Sequence, residues 1–442
     1  MKILNSKILD LINNGLFVIQ LKLNNLKNNS FLLSNIDFFI VLSIISIYVV
    51  SIFAQNSTTA IFAFLLPFLV ILKTLMTKGE KLELEICNFY LIIYLFICFI
   101  SNFTSSLPIQ SFYGFSKTLL YFAFYLALCQ FLKNNKNFII IIMFAIAVLT
   151  AGESVIGLLQ NAAKVANIAT WQDTSYVNPE DIMTRVYGTL KPYNPNLFGG
   201  WLIASIPALI GMCALFFYKK HIIPAFTSLI FLFISVLSLF YSGCRGAYIA
   251  LFFIFCCLLI VLFNVNKICR IASIMAAAFG GAFILLHHGI FQRLMSIFIL
   301  RGDSSTSFRM NVYNSAIQMF FDNPIFGIGA GNKVFREIYG LYMLSGFDAL
   351  SCYSVFLEIA VESGIFALIA FLLFIGSLLI NGIKKYIISK DRAEKIILFT
   401  AFISVFAVML HGLVDTVYFR PQIQFIFWTM ASVLTVLSRN ND

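Results

Sequence analysis

Charged residues are scarce in this sequence of 442 residues. Only 11% of the residues are Asp, Glu, Lys or Arg, whereas 60% are hydrophobic. Soluble domains of ordinary composition carry about a quarter charged residues, so a soluble globular protein is excluded. Apolar runs of about 20 residues recur from position 38 onward, and each is long enough to cross a hydrocarbon core about 30 Å thick.

Motifs for metal binding and for disulfide frameworks are also missing. The nine cysteines include no C-x-x-C pair, and their odd number does not favour a set of disulfides. Only four histidines are present, of which only His287 and His288 are adjacent. We therefore expect no metal site and no cofactor.

The net charge of +11 does not indicate nucleic-acid binding, because most basic residues lie in short loops between apolar runs. Every second loop is nearly free of lysine, as in 55–59 and 101–111, with Lys117 as an exception at a span end. The intervening loops carry clusters such as Lys133 with Lys136. By the positive-inside rule, both termini are expected in the cytoplasm.

The apolar runs predict an all-α, polytopic bundle of about twelve transmembrane helices. Their ends are uncertain by several residues. The expected spans are 38–54, 60–77, 87–103, 116–132, 137–159, 197–218, 222–240, 246–265, 269–288, 352–381, 394–413 and 422–438.

The remaining segments complete the predicted organisation. Residues 1–37 lack the compact apolar core and cleavage site of a signal peptide, and we expect them to form a cytoplasmic amphipathic segment at the membrane surface. Residues 38–442 are expected to form a single membrane domain. Two long outer loops are predicted near 160–196 and 289–351. The second should hold one or two short helices over the bundle, since a loop of that length without structure is unusual.

The polar residues best suited to chemistry gather near the outer ends of the spans. Arg245 follows a Ser-Gly-Cys tripeptide between two apolar runs, and its guanidinium offers five donors to phosphate oxygens. An arginine at a membrane edge can also be an anchor that reaches water, although by default it is a functional candidate. Arg301 and Arg309 share one outer loop, where they either clamp an anionic ligand or are simply solvated.

Carboxylates and a histidine follow later in the chain. Glu358 and Glu362 are four residues apart, so they share a helix face below Tyr353. Either glutamate could be a general base, and structural pairing with a basic loop residue explains them equally well. His411 and Asp415 are also four residues apart, and they suggest either a catalytic pair or side chains that support the site.

Two segments predict backbone features. Residues 322–332 contain three glycines at alternate positions, but they lack the Lys-Ser/Thr and the preceding strand of a phosphate-binding loop. We interpret this segment as a tight glycine turn. Tyr193-Asn194-Pro195-Asn196 opens a span, and an asparagine there favours capping of the helix.

Taken in order, these segments resemble the O-antigen ligase and polymerase superfamily of membrane glycosyltransferases. Their order, spacing and topology agree across residues 180–430, and the ordered set is more specific than any single motif. The stretch Ala349–Glu362 looks closest to a cyanobacterial branch once labelled as bicarbonate transporters. The matching pieces are Asn194-Pro195-Asn196, Ser-x-x-Arg245-Gly246-Ala247, Arg309 upstream of Asn323-Pro324, Gly327-Ile-Gly329-Ala-Gly331-Asn332-x-x-Phe335, Glu362-Ser-Gly364 and Asp415.

The resemblance implies a GT-C-like helical bundle capped by a large periplasmic loop. It also implies transfer of a glycan from an undecaprenyl-diphosphate carrier to an acceptor sugar on a glycan or glycolipid, with inversion and without a metal. Arg245 and Arg309 would hold the donor diphosphate. Arg301, Asn196 and Asp415 complete the expected substrate-binding set.

One residue departs from the family's pattern. Ligases usually carry a histidine, taken as the base or the acceptor-positioning group, where this chain has Tyr353. A neutral tyrosine with an ordinary pKa of about 10 is a poor base at neutral pH. Glu358, Glu362 or His411 could substitute for it. The expected catalytic set is therefore Glu362, Tyr353 and His411.

The alternative function is transport of a small anion such as bicarbonate. Carriers usually show internal repeats and hold their ions near the middle of the bilayer. The sequence has no convincing repeat, and its polar groups lie toward one face, with Glu153 as the main exception. The transferase is therefore the first hypothesis and the transporter the second.

Overall fold

The computed structural model describes residues 2–28, 30–54, 56–83, 85–165, 185–287, 291 and 304–439, except 345 and 347. Within these residues the regular secondary structure is helical, without a strand. In the part of the chain that is described, eleven helices are long and apolar enough to cross a membrane, judged by length and composition. The predicted all-α, polytopic membrane fold is confirmed.

We number the helices in chain order through the described residues. The first part contains α1 (Lys2–Asn28), α2 (Phe31–Ser34), α3 (Ile36–Phe53), α4 (Asn56–Met76), α5 (Ile86–Thr104), α6 (Pro108–Asn134) and α7 (Phe138–Ala162). The second part contains α8 (Pro195–Tyr218), α9 (Ile222–Ser242), α10 (Arg245–Phe263), α11 (Lys267–Leu286), α12 (Ser304–Asp322), α13 (Asn332–Tyr342), α14 (Val355–Ile388), α15 (Arg392–His411), a 3₁₀ turn (Val417–Phe419) and α16 (Pro421–Leu437).

Each predicted span coincides with one of these helices. The largest differences are at α6, which begins at Pro108 rather than 116, and at α14, which continues to Ile388 rather than 381. Proline fits the first turn of α6 because that position needs no intrahelical N–H bond. α16 has only 17 residues, but all of them are buried, so it is a central helix of the bundle.

The N-terminal segment predicted to be amphipathic contains α1 and α2. α1 packs against α4 and is tied to the α4–α5 connection by Asn13, whose side chain donates to the Leu82 carbonyl (3.2 Å) and accepts from the Leu82 N–H (2.9 Å). The other face of α1 leaves Leu11 and Val18 largely exposed. Such a helix fits a membrane surface, while its cytoplasmic location stays a prediction.

The loop predicted near 289–351 contains a small core of its own. Val312 and Met319 of α12 pack with Phe335 and Tyr339 of α13 and with Val361 of α14. This core gives α12 and α13 a fixed position against the bundle. Two helices are thus present as expected, although α12, with 19 residues, is longer than the short helix that the sequence suggested.

The segment that follows α12 packs against a break in the helical backbone of α14. Gly364 has φ +81° and ψ 178°, a conformation that side chains disfavour, and a Cβ there would collide with the Ile325 carbonyl. The Glu362 carbonyl accepts hydrogen bonds from the Gly329 N–H (2.9 Å) and from Ser101 Oγ (2.8 Å). We call this contact of residues 325–331 with 362–364 the glycine–glutamate junction.

Candidate substrate-binding site

A tight reversal between α9 and α10 places Arg245. Gly243 ends α9 in the left-handed conformation, with φ +65° and ψ 19°, which glycine adopts without steric cost. Cys244 occupies the N-cap position, and α10 begins at Arg245. The arginine therefore lies in the first turn of α10, at one end of the bundle.

The start of α8 meets this reversal. The side chain of Asn194 accepts hydrogen bonds from the N–H groups of Asn196 (2.8 Å) and Leu197 (3.4 Å), so one asparagine caps the helix as predicted. The side chain of Asn196 instead accepts from an Arg185 NH2 group at 2.6 Å. Arg185 Nε donates to the Ser242 carbonyl at 2.8 Å. Arg185 thus joins the start of α8 to the end of α9.

Arg309 reaches the same place from α12. One guanidinium nitrogen donates to the Val414 carbonyl (2.6 Å), and the other lies 3.3 Å from Asp415 Oδ2. Burial lowers the pKa of Arg309, but the Asp415 carboxylate raises it, and the net shift is upward. Asp415 Oδ1 accepts from the Thr416 N–H at 2.7 Å. Arg309 therefore stays charged against a fixed carboxylate.

These elements enclose an arginine-lined cavity of about 350 Å³, including the part open to the exterior. Arg185, Arg245, Arg309 and Asp415 supply its charged lining, with Asn196 beside them. Three guanidiniums against one carboxylate leave an excess of two positive charges. Guanidiniums bind phosphate oxygens through pairs of N–H donors, so the lining suits an anion such as a diphosphate.

Most of the predicted binding residues meet at this cavity. Arg245, Arg309, Asn196 and Asp415 all line it, whereas Arg301 lies outside the described residues. Arg185 is a binding residue that was not predicted from the sequence. It stands in no motif, and the loop near 160–196 also contains Lys164 and Lys191, so the sequence does not reveal its contact with Asn196.

Tyr353 contacts the cavity lining without being part of it. The Arg309 guanidinium lies 4.9 Å from the centre of the Tyr353 ring, a cation–π contact. Burial raises the pKa of Tyr353, and the lowering effect of Arg309 does not reverse this shift. The hydroxyl therefore stays protonated, and the ring supports Arg309 from behind.

His411 also lies behind the lining. It is buried, and its Nε2 is 3.4 Å from Sγ of Cys244, which lines the cavity. Burial raises the pKa of the Cys244 thiol, but the charge and the hydrogen bond of His411, together with a backbone hydrogen bond from Ala247, turn the net shift downward. Among the described residues the hydrogen-bond partner of His411 is thus Cys244 and not Asp415 as the spacing suggested. The reason is that α15 ends at His411, so the four-residue helical spacing does not continue to Asp415.

The two glutamates bind backbone groups. Glu362 Oε1 accepts from the Gly331 N–H (2.8 Å), and Glu358 Oε2 accepts from the Cys352 N–H (2.7 Å). Neither side chain lines the arginine-lined cavity. Pairing with a basic loop residue was the structural alternative for these glutamates, whereas the hydrogen bonds to both carboxylates come from backbone N–H groups. A catalytic role for Glu362 stays a prediction that this geometry does not favour.

Within the part of the chain that the structure describes, no group of three or more His, Cys, Asp or Glu is arranged to hold a metal. The cavity is lined instead by guanidinium cations, which repel metal ions. The expectation of a site without metal or cofactor stays a prediction.

Residues 230–372, about a third of the chain, match the family model described as O-antigen ligase. The matched range includes Arg245, Arg309, Tyr353 and Glu362, and it supports the resemblance to the O-antigen ligase superfamily. It gives no support to the cyanobacterial bicarbonate-transporter branch. No curated protein matches the chain. The chain is a polytopic helical membrane protein with a segment similar to the O-antigen ligase family.

Proposed function

We propose that this protein is a glycosyltransferase of the O-antigen ligase or polymerase type. It moves a glycan from an undecaprenyl-diphosphate carrier to an acceptor sugar on a glycan or glycolipid, at the periplasmic face of a bacterial inner membrane. The observation that carries the proposal is the cavity in which Arg185, Arg245 and Arg309 meet. The family match to O-antigen ligase supports the same chemistry.

The arginines act on the leaving group in this proposal. When the bond between the anomeric carbon and the diphosphate breaks, negative charge develops on the departing oxygen. Fixed donors aimed at developing charge lower the barrier more than they stabilise the bound substrate. A lipid-linked diphosphate carries one negative charge on each phosphate, which matches the two excess positive charges of the lining.

The acceptor attacks from the other side of the sugar. Its hydroxyl oxygen forms the new bond as the diphosphate leaves, which inverts the anomeric carbon, and its proton passes to water at the open side of the cavity. Asp415 is the one carboxylate among the described cavity-lining residues. Its oxygens already accept from Arg309 and from the Thr416 N–H, which makes it a positioning residue for Arg309.

The position of the cavity favours transfer over transport. An anion carrier holds its substrate near the middle of the bilayer, often between broken helices. The arginine-lined cavity lies instead where α8 and α10 begin and where α15 has just ended. A donor presented at the membrane surface reaches this position directly.

The test compares two arginine variants in purified full-length protein. Arg245→Ala removes hydrogen-bond donors from the cavity. Arg336→Ala, on α13, removes an exposed ion pair with Asp348 outside the cavity. Loss of one fixed donor at a charge-stabilising site lowers the rate about 10²–10³-fold. Transfer is measured in nanodiscs with the lipid-linked glycan that accumulates when the gene is deleted. Full transfer by Arg245→Ala, or equal losses in both variants, contradicts the proposal.

A further inference from the structure

A second cavity lies at the opposite end of α16 from the arginine-lined cavity. Its volume is about 830 Å³, including the part open to the exterior. Its apolar walls come from Leu9 and Ile12 of α1, Leu126 and Cys129 of α6, and Val436 of α16. The 17 residues of α16 span roughly 25 Å, so the two cavities lie near opposite surfaces of the bundle.

Four charged side chains are part of the lining of this cavity. They are Glu83, Glu85, Lys133 and Arg439. Arg439 pairs with both glutamates, at 3.3 Å from Glu85 Oε1, and Lys133 Nζ lies 4.0 Å from Glu83. Two cations therefore alternate with two carboxylates around an apolar interior.

One wall of the cavity is formed by α1, which is fixed to the bundle by hydrogen bonds. Besides the Asn13–Leu82 pair, Gln20 donates to the carbonyls of Thr74 (2.9 Å) and Glu80 (2.8 Å). The face of α1 that points away from the bundle exposes apolar side chains such as Leu11, which is 75% exposed. A helix of this kind lies in the head-group region of a leaflet, so the cavity beneath it opens at the level where phospholipids are available.

From this geometry we infer that the second cavity binds one phospholipid with a zwitterionic head group. The acyl chain lies between α1, α6 and α16, the phosphate faces Lys133 and Arg439, and the ammonium faces Glu83 and Glu85. Binding sites of this volume are typically apolar with a few polar groups that fix the orientation of the ligand. The inference does not depend on the glycosyltransferase proposal.

The charge pattern selects the head group. Burial raises the pKa of Glu85 even though Arg439 is its neighbour, so its carboxylate lacks full compensation. A lipid ammonium supplies that compensation, whereas phosphatidylglycerol carries the same phosphate charge but has no ammonium to face Glu83 and Glu85. A zwitterionic lipid is therefore preferred over an anionic one.

The experiment measures which lipid stays bound. The full-length protein is reconstituted in nanodiscs of phosphatidylethanolamine and phosphatidylglycerol in equal amounts, released into mild detergent, and analysed by native mass spectrometry. We expect one phosphatidylethanolamine per chain on the wild-type protein. In Lys133→Gln the retained fraction should fall about tenfold because the phosphate loses its buried partner.

Two further variants separate site binding from general lipid contact. Lys136→Gln removes the same charge three positions along the chain, at an exposed residue that does not line the cavity, and should retain lipid like the wild type. Cys129→Phe fills the cavity and should displace the lipid while the protein keeps its elution volume. The inference is overturned if the wild-type protein retains no lipid or prefers phosphatidylglycerol. It is equally overturned if Lys133→Gln and Lys136→Gln retain the same amount, or if folded Cys129→Phe still retains the lipid.

Discussion

The arginine-lined cavity and the glycine–glutamate junction lie at the same end of the bundle, and both contain charged residues that the sequence marks as site candidates. In the cavity, Arg245 and Arg309 line an open volume with an excess of positive charge. At the junction, the Glu362 carboxylate accepts a hydrogen bond from the Gly331 N–H, and its carbonyl accepts one from the Gly329 N–H. The first region has the donors and the excess positive charge that suit an anion, and the second holds α14 against the chain that follows α12.

This difference follows from the geometry of the donors and acceptors. A guanidinium has five donors in a rigid fork and can keep some of them for a ligand while others bind the protein. A carboxylate that accepts from a backbone N–H inside the protein is fixed by that bond, and removing the bond leaves a buried donor unsatisfied. Charged residues within one motif set can therefore divide between ligand binding and architecture.

The largest expected effect comes from breaking the junction itself. In Gly364→Ala the new Cβ meets the Ile325 carbonyl at a φ of +81°, so we expect a loss of about 3 kcal/mol or more in the free energy of unfolding. Transfer activity should be lost with it, because α12 carries Arg309. Thermal unfolding followed by circular dichroism measures the change.

The control lies on the same helix. Gly376 has nothing within 4 Å of an added Cβ, and Gly376→Ala should stay within about 1 kcal/mol of the wild type or stabilise it slightly. Equal melting temperatures for the two alanine variants contradict the role assigned to the junction.

A smaller effect is expected from Asp415→Asn, which removes the carboxylate that pairs with Arg309 in the cavity. The amide still accepts from the Thr416 N–H, but it leaves Arg309 without its countercharge. Since the Arg309 and Asp415 side chains are only 24% and 9% exposed, we expect a loss of about 1–3 kcal/mol in the free energy of unfolding together with reduced transfer. Asp348→Asn removes the exposed partner of Arg336 and should change little. If Asp348→Asn lowers the free energy of unfolding and the transfer rate as much as Asp415→Asn, the role assigned to the Arg309–Asp415 pair is wrong.

The smallest effect is expected from Glu362→Gln. The glutamine carbonyl can still accept from the Gly331 N–H, so transfer should fall by less than about threefold if Glu362 only holds the junction. Removal of a general base lowers rates about 10²–10⁴-fold. Single-turnover transfer assays on folded protein distinguish these outcomes, and a loss of the larger size restores Glu362 as a catalytic residue.

The fold was largely predictable because membrane spans follow from local hydropathy. Helix ends were less predictable. α6 begins eight residues earlier than expected because Pro108 can occupy the first turn of a helix. The Asn194 cap was also predictable, since a cap acts within a few residues of its own position.

The candidate site was predictable only in part, because its contacts join distant parts of the chain. Motif order suggested Arg245, Arg309, Asn196 and Asp415, but no local pattern connects Arg185 with them. The same holds for Glu362, whose acceptor role depends on a glycine 31 residues away. Spacing along a helix gives the face on which a side chain lies, but it does not give the group that the side chain meets.

The proposed transfer depends on binding of a lipid diphosphate in the arginine-lined cavity. Binding of undecaprenyl diphosphate to the protein in nanodiscs, followed by microscale thermophoresis for the wild type, Arg245→Ala and Arg336→Ala, tests it most directly. We expect Arg245→Ala to bind about tenfold or more weakly, because a charge-assisted hydrogen bond contributes about 1.5–3 kcal/mol, and Arg336→Ala to bind like the wild type. Equal affinities of all three proteins contradict it.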